Sequence, residues 1–267
     1  IGALGNLWPR LKAPVFATPF TAALVREKLK ERNLDSKVKL TEVGMKGRFA
    51  LGPFDIEYIT LTHSIPEPNG LAIRTPLGLI WHTGDWKIDP EPLIGETTDI
   101  AAVEALSREG VLAMVCDSTN VFVEGRAGSE ADVRRSLAET IRPLRGRVAV
   151  TAFASNVARV ESVILGAADC GRSVCLVGRS MHRVVGAAKS VGMLQSIPPL
   201  VGEGEAARLP RDQVLYLCTG SQGEDRAALT RIAKGDFRGV RLDPGDAVLF
   251  SSRVIPGNEL AIADLQD

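Results

Sequence analysis

Several features are missing from this sequence of 267 residues. No stretch approaches the roughly 18 uninterrupted apolar residues of a membrane span, so no transmembrane helix is expected. The amino terminus, Ile1-Gly2-Ala3-Leu4-Gly5, has no basic region followed by an apolar run, which excludes a secretory signal there. It also lacks a methionine, and the expectation is a start inside a longer chain. Neither a Gly-x-Gly-x-x-Gly nor a Gly-Lys-Ser/Thr run occurs, so dinucleotide and P-loop readings have no motif. Net charge is nil, with 32 basic residues against 32 acidic. Bulk charge therefore advertises no polyanion, and only a local basic groove could serve one. Histidine is scarce, with three in all. None of the four cysteines, Cys116, Cys170, Cys175 and Cys218, stands in a Cys-x-x-Cys pair, so a thiolate zinc site is not expected. Cys116 and Cys218 end apolar runs and read as buried thiols acting as small hydrophobes. Free thiols point to a reducing cytoplasm.

What is present suffices for a core, since 45% of the residues are hydrophobic. The length suits one large domain or two ordinary ones. The first half reads as strand-rich. Phe54–Tyr58 alternates apolar and polar residues, and Leu71–Arg74 and Leu79–Trp81 follow as a pair joined by a turn at Thr75-Pro76-Leu77-Gly78. Helices are expected after Thr18, with Pro19 at the first position, and from Ile100 to Arg108. The second half changes rhythm. Strand candidates at Val111–Val115, Val148–Thr151, Val174–Val177, Val214–Leu217 and Ala247–Phe250 alternate with helices near Glu130–Ile141, Asn156–Ala168, Ser180–Val191 and Glu224–Lys234. Regular alternation of strand and helix predicts an α/β fold with a largely parallel sheet flanked by helices. Glu124-Gly125-Arg126-Ala127-Gly128 reads as a linker, placing one domain at 1–127 and the next at 128–267.

Two histidines sit at strand ends. Thr62-His63-Ser64-Ile65-Pro66-Glu67 follows one strand and His82-Thr83-Gly84-Asp85 another, where side chains converge on a ligand from a rigid scaffold. Imidazole and carboxylate suit zinc or manganese, and a carboxylate can bridge two ions. A Gly-Asp pair equally forms an ordinary turn. In the alternating half, small polar residues follow the strands: Asp117-Ser118-Thr119-Asn120, Ala152-Phe153-Ala154-Ser155-Asn156, Gly178-Arg179-Ser180, Thr219-Gly220-Ser221-Gln222-Gly223-Glu224 and Ser251-Ser252-Arg253. Ligands of open parallel sheets bind beyond the carboxyl ends of the strands, where helix N-termini favour phosphate. Five such loops, carrying Arg179 and Arg253, could line a phosphate-binding crevice. The other reading is that Ser, Asn and Gly there only cap helices and form turns. His182, beside Arg183 in a predicted helix, reads as surface or groove lining.

The segments Thr62–Glu67, His82–Asp89, Cys116–Asn120, Phe153–Asn156, Cys218–Glu224 and Ile255–Glu259 resemble, in order, successive motifs of the ribonuclease J family. That family lies in the β-CASP branch of the metallo-β-lactamase superfamily. The resemblance implies part of an α/β/β/α metallo-β-lactamase sandwich followed by a β-CASP domain, with two divalent ions, zinc or alternatively manganese. It makes His63 a ligand of one ion, Asp85 the bridging carboxylate, and Asp117 an acid that orients a ligating histidine. Ser155, Asn156, Ser221 and Gln222 become the candidates for contact with RNA. The implied activity is hydrolysis of RNA phosphodiesters, 5′-to-3′ with some endonucleolytic cleavage, in RNA processing and decay. The family's His-x-His-x-Asp-His motif and its late histidines are absent from this sequence. This chain alone is therefore expected to be inactive and to bind metal weakly. The resemblance also implies a parent that forms homo-oligomers, with other RNA-decay proteins as potential partners, and no membrane association. No stable dimer is expected of this chain itself. Two other readings remain open: another hydrolase of the metallo-β-lactamase fold, and a non-catalytic RNA-binding or assembly partner.

Overall fold

The computed structural model describes residues 1–267. The chain divides into two compact units, Ile1–Glu130 and Ala131–Asp267, a division three residues beyond the expected linker boundary. No helix is long and apolar enough to cross a membrane.

In the first unit, α1 (Leu4–Leu11) packs on α2 (Pro19–Lys30), which also covers β1 (Val15–Ala17) and β2 (Leu40–Glu42), a short parallel pair. Val25, Leu29 and Val38 form the small core beneath, with Leu4 and Trp8 against it. Pro19 opens α2 as expected, because its fixed φ suits a helix start and the missing N–H has no partner to lose there. A five-stranded sheet follows in the order β3 (Arg48–Leu51), β4 (Phe54–Thr60), β5 (Asn69–Thr75), β6 (Gly78–His82) and β7 (Val111–Val115). The first four are antiparallel neighbours, and β7 returns parallel to β6 after α3 (Ile100–Glu109). At the β5–β6 turn, Thr75 Oγ1 accepts from Leu77 and Gly78 N–H. Gly78 there holds φ +145°, a conformation that suits glycine. Ile59, Ala72, Leu79 and Leu106 form the core between sheet and α3.

Two expectations fail at β7. The sequence reading placed Val111–Val115 first among the strands of the alternating half, yet it is the outermost strand of this first sheet. An apolar run of five does not reveal its partner, and this one pairs with a strand about thirty residues upstream. The buried thiol expected at Cys116 is exposed. Its strand is hydrogen-bonded on one side only, and only Val111 reaches the core. Cys175 and Cys218 are buried as expected.

The second unit carries the alternating pattern: α4 (Glu130–Ile141), β8 (Val148–Thr151), α5 (Val157–Ala168), β9 (Ser173–Val177), α6 (Arg179–Ser190), α7 (Glu203–Ala206), β10 (Val214–Cys218), α8 (Ala228–Ala233), β11 (Ala247–Phe250) and α9 (Glu259–Gln266). Its four strands are all parallel, in the order β11-β8-β10-β9. Helix α5 packs on β9 and β10, and α6 on β9. Ala149, Cys175, Tyr216 and Cys218 join Leu229 and Ile232 of α8 in one core. Residues of β8 and β10 are buried on both alternating sets, which explains their continuous apolar sequences.

Candidate functional site

In the first unit the topology brings three loops to one end of the sheet. Strands β4 and β6 each run antiparallel to β5, and β7 runs parallel to β6, so β4, β6 and β7 all point the same way. The loops leaving them carry His63, His82–Asp85 and Asp117 respectively. Two threonines tie these loops together. Thr83 donates its N–H to Val115 O (2.9 Å), and its Oγ1 accepts from Asp117 N (3.2 Å) while donating to Gly84 O (2.7 Å). Thr62 pairs with Lys87 across an isolated bridge, its O accepting from Lys87 N (2.8 Å) and its Oγ1 donating to Lys87 O (2.5 Å). Both threonines are buried, so these bonds form away from water.

The electrostatics fit the convergence. Burial pulls the half-buried His63 below its ordinary pKa and Lys87 adds to this, while Asp85 and Asp117 act in the opposite sense. The net effect favours the neutral imidazole, the form that ligates metals. Asp117 is held below the usual carboxylate range, first by Thr119, whose Oγ1 (2.6 Å) and N–H (2.9 Å) both donate to Oδ1, then by the Trp86 N–H and the charge of His63. No hydrogen bond engages the exposed Asp85 carboxylate, which leaves it open to a ligand. His82 accepts the Gly84 N–H on Nδ1 (3.0 Å), so that nitrogen serves the turn. No group of three or more His, Cys, Asp or Glu side chains is arranged to hold a metal ion. His63 and Asp85 are donors of the right type, but they fall short of a closed coordination set, and Asp117 is committed to Thr119.

In the second unit the strand order identifies a crevice. The chain leaves β8 for β9 past β10, and leaves β10 for β11 past β8. Neighbouring strands β8 and β10 therefore send their connections in opposite directions, and their carboxyl ends flank a topological switch point, where open α/β sheets bind ligands. The loops there are Ala152–Asn156 and Thr219–Gly223, which contain all four residues singled out for RNA. The first strand-end loop of the sequence reading, Asp117–Asn120, belongs to the other unit, so four of the five expected loops share this sheet.

The four candidates differ in what they offer. Ser155 is exposed. Asn156 is buried and caps α5, its Oδ1 accepting from Arg159 N (3.0 Å). Ser221 is buried with its Oγ unpartnered. Gln222 is buried with its amide bonded to the loop after β11. Gly220 and Gly223 around them hold φ +119° and +72°. A Cβ on Gly220 would meet that of Leu229 at 2.9 Å, and one on Gly223 would meet Ala261 O at 2.5 Å. The two glycines of the Thr-Gly-Ser-Gln-Gly run are thus required by backbone geometry. Arg179, at the start of α6, and Arg253 are exposed, as is His182 on α6. Sequence reasoning missed Thr62 and Thr83, although each directly precedes or follows a candidate at a strand end. It also missed Arg159, whose helical position gives no hint of its bonds to Ser251.

Residues 145–267 match the family model described as Ribonuclease J, beta-CASP domain. The whole chain is 48% identical to a protein named Ribonuclease J from Sinorhizobium meliloti, covering 47% of that protein. It is 42% identical to a Ribonuclease J from Mycolicibacterium smegmatis, again over all of this chain and 48% of the relative. A Ribonuclease J 1 from Streptococcus pyogenes is 37% identical over 99% of this chain and 47% of its own length. The chain thus spans about half the length of these relatives. Among solved structures, a protein of unknown function from Enterococcus faecalis shares the fold, with a TM-score of 0.56 and 14% identity over 77% of this chain and 53% of that one.

Proposed function

For this chain, which belongs to the ribonuclease J family, we propose a role as part of a metal-dependent ribonuclease that hydrolyses RNA phosphodiesters in RNA processing and decay in the cytoplasm. The carrying observation is the convergence of His63, Asp85 and Asp117 at one end of one sheet, beside tying threonines that keep their loops together. The names of the relatives support the substrate class. In the longer protein, two divalent ions, zinc or manganese, would supply Lewis acidity and an activated water. His63 would hold one ion and Asp85 would bridge both, with the remaining ligands supplied outside this chain. Two donors do not complete such a site, so no catalytic step is assigned to this chain alone, and it is proposed to be inactive by itself. Its own residues do the rest. Asp117, kept ionised by Thr119, is an acceptor suited to orienting a ligating imidazole. The switch-point crevice of the second unit would receive the RNA backbone, with Ser155 exposed at its rim, and a 5′ phosphate there would favour 5′-to-3′ progress alongside endonucleolytic cleavage.

Asp85→Ala in the full-length protein tests the reading. RNA turnover should fall by at least about a thousandfold, because a bridging carboxylate fixes both ions. Turnover within tenfold of the unaltered protein would remove the metal assignment.

A further inference from the structure

Gln222 does not have the geometry of a residue that touches substrate. An amide side chain can make four hydrogen bonds, two through nitrogen and two through oxygen. Gln222 makes all four within the protein. Its Nε2 donates to Ser252 Oγ (3.2 Å) and to Arg253 O (2.9 Å), and its Oε1 accepts from Ile255 N (2.9 Å) and Asn258 Nδ2 (3.2 Å). The side chain is 5% exposed, so nothing is left for a ligand. Its own position is set from behind, where its N–H donates to Glu224 Oε2 (3.0 Å) between the left-handed Gly220 and Gly223. On the other side Arg159 of α5 donates through Nη1 to Ser251 O (2.6 Å) and Ser251 Oγ (2.9 Å). The loop after β11 is thus held at residues 251, 252, 253, 255 and 258 by two side chains from neighbouring elements.

One cation in that loop is left over. The Arg253 side chain is exposed, and no carboxylate pairs with it, while its carbonyl is clamped by Gln222. Strand β11 lies next to β8, so this loop leaves the same end of the sheet as Ser155. An immobilised backbone spares the cost of ordering the loop on binding, and a guanidinium matches phosphate with a planar fork.

We propose that Gln222 is a positioning residue whose amide fixes the Ser252–Asn258 loop so that Arg253 binds a phosphate of single-stranded RNA at the crevice. This rests on the reading of the crevice as an RNA site. Of these two residues, both of which the sequence placed at the crevice, it takes the contact from Gln222 and leaves it with Arg253.

The test uses the 267-residue chain and a fluorescein-labelled, 5′-phosphorylated single-stranded RNA, with anisotropy measured across a salt series. Arg253→Ala should weaken binding about tenfold and lower the salt slope by about one, as loss of one phosphate contact does. Gln222→Ala should reproduce both effects, and the double variant should be no weaker than Arg253→Ala alone. Gln222→Glu, which keeps the acceptors but loses the donors, should fall between, and it carries the test if Gln222→Ala unfolds. Hydrogen exchange at the Ile255 amide should quicken in both Gln222 variants and not in Arg253→Ala. Additive losses would show that Gln222 acts on its own and overturn the proposal. So would an Arg253→Ala variant that binds as the unaltered chain does. If the unaltered chain fails to bind this RNA, the reading of the crevice fails and the proposal with it.

Discussion

Asp89 illustrates how much one carboxylate can hold. It is buried, and burial alone would push its pKa up. Lys87 Nζ at 2.9 Å, the N–H groups of Glu91 (2.9 Å) and Glu130 (3.1 Å), and the Ser129 hydroxyl outweigh that and bring it to about 2. A folded pKa below the ordinary 3.8 contributes stability that is present above about pH 4 and lost as pH falls toward 2. The shift corresponds to about 2 kcal/mol for this buried group. Asp89→Asn should therefore lower the unfolding free energy by about that amount at pH 7 in urea titrations. The gap between variant and unaltered chain should close between pH 4 and pH 2. A gap that is constant with pH would assign the effect to shape rather than charge. Asp89 was quoted from the sequence only as part of a motif. Its partners at 91, 129 and 130 are fixed by loop geometry that no spacing rule encodes. The same limit hid Gln222: a glutamine in a glycine-flanked loop reads equally as a contact or a clamp until its four partners are known.

Elements were legible wherever one physical signal dominated. Strands β8, β9 and β10 stand out because a doubly covered parallel strand reads as a nearly continuous apolar run, and α4, α5 and α6 fall within a residue or so of their expected limits. Helix α8 was expected from Glu224 but begins at Ala228. Residues 223–227 are taken by the turn that Gly223 and the Glu224–Gln222 bond require. The short α1, α7 and β1 to β3 carry too few residues for a periodic signal. At α5 the cap is the informative residue. Asn156 fits both a helix cap and an RNA contact by type, and its Oδ1 is already on Arg159 N. Asn156→Ala should cost about 1 kcal/mol in urea unfolding, as loss of an N-cap does, while Asn156→Asp should stay within a few tenths. Equal losses in the two variants would mean that the amide nitrogen, not the capping oxygen, matters.

At the scale of the molecule, the outer edge of β7 decides how the chain behaves in solution. Its unpaired edge adjoins Leu112, Met114 and Val115, which are 64%, 57% and 52% exposed. An apolar strand edge without charge or cover recruits other chains through backbone pairing and apolar burial. An edge of five residues buries too little surface to hold a stable dimer, so the contact is weak and depends on concentration. Sedimentation velocity should therefore show a monomer at low concentration and a continuous rise in weight-average mass at higher concentration, with no plateau at two chains. Met114→Lys, placing a charge beside that edge, should flatten the rise without altering the fold, because Met114 makes no core contact. A dimer of constant mass across concentrations, insensitive to Met114→Lys, would locate a specific interface elsewhere and refute the expectation that this chain alone forms no stable dimer.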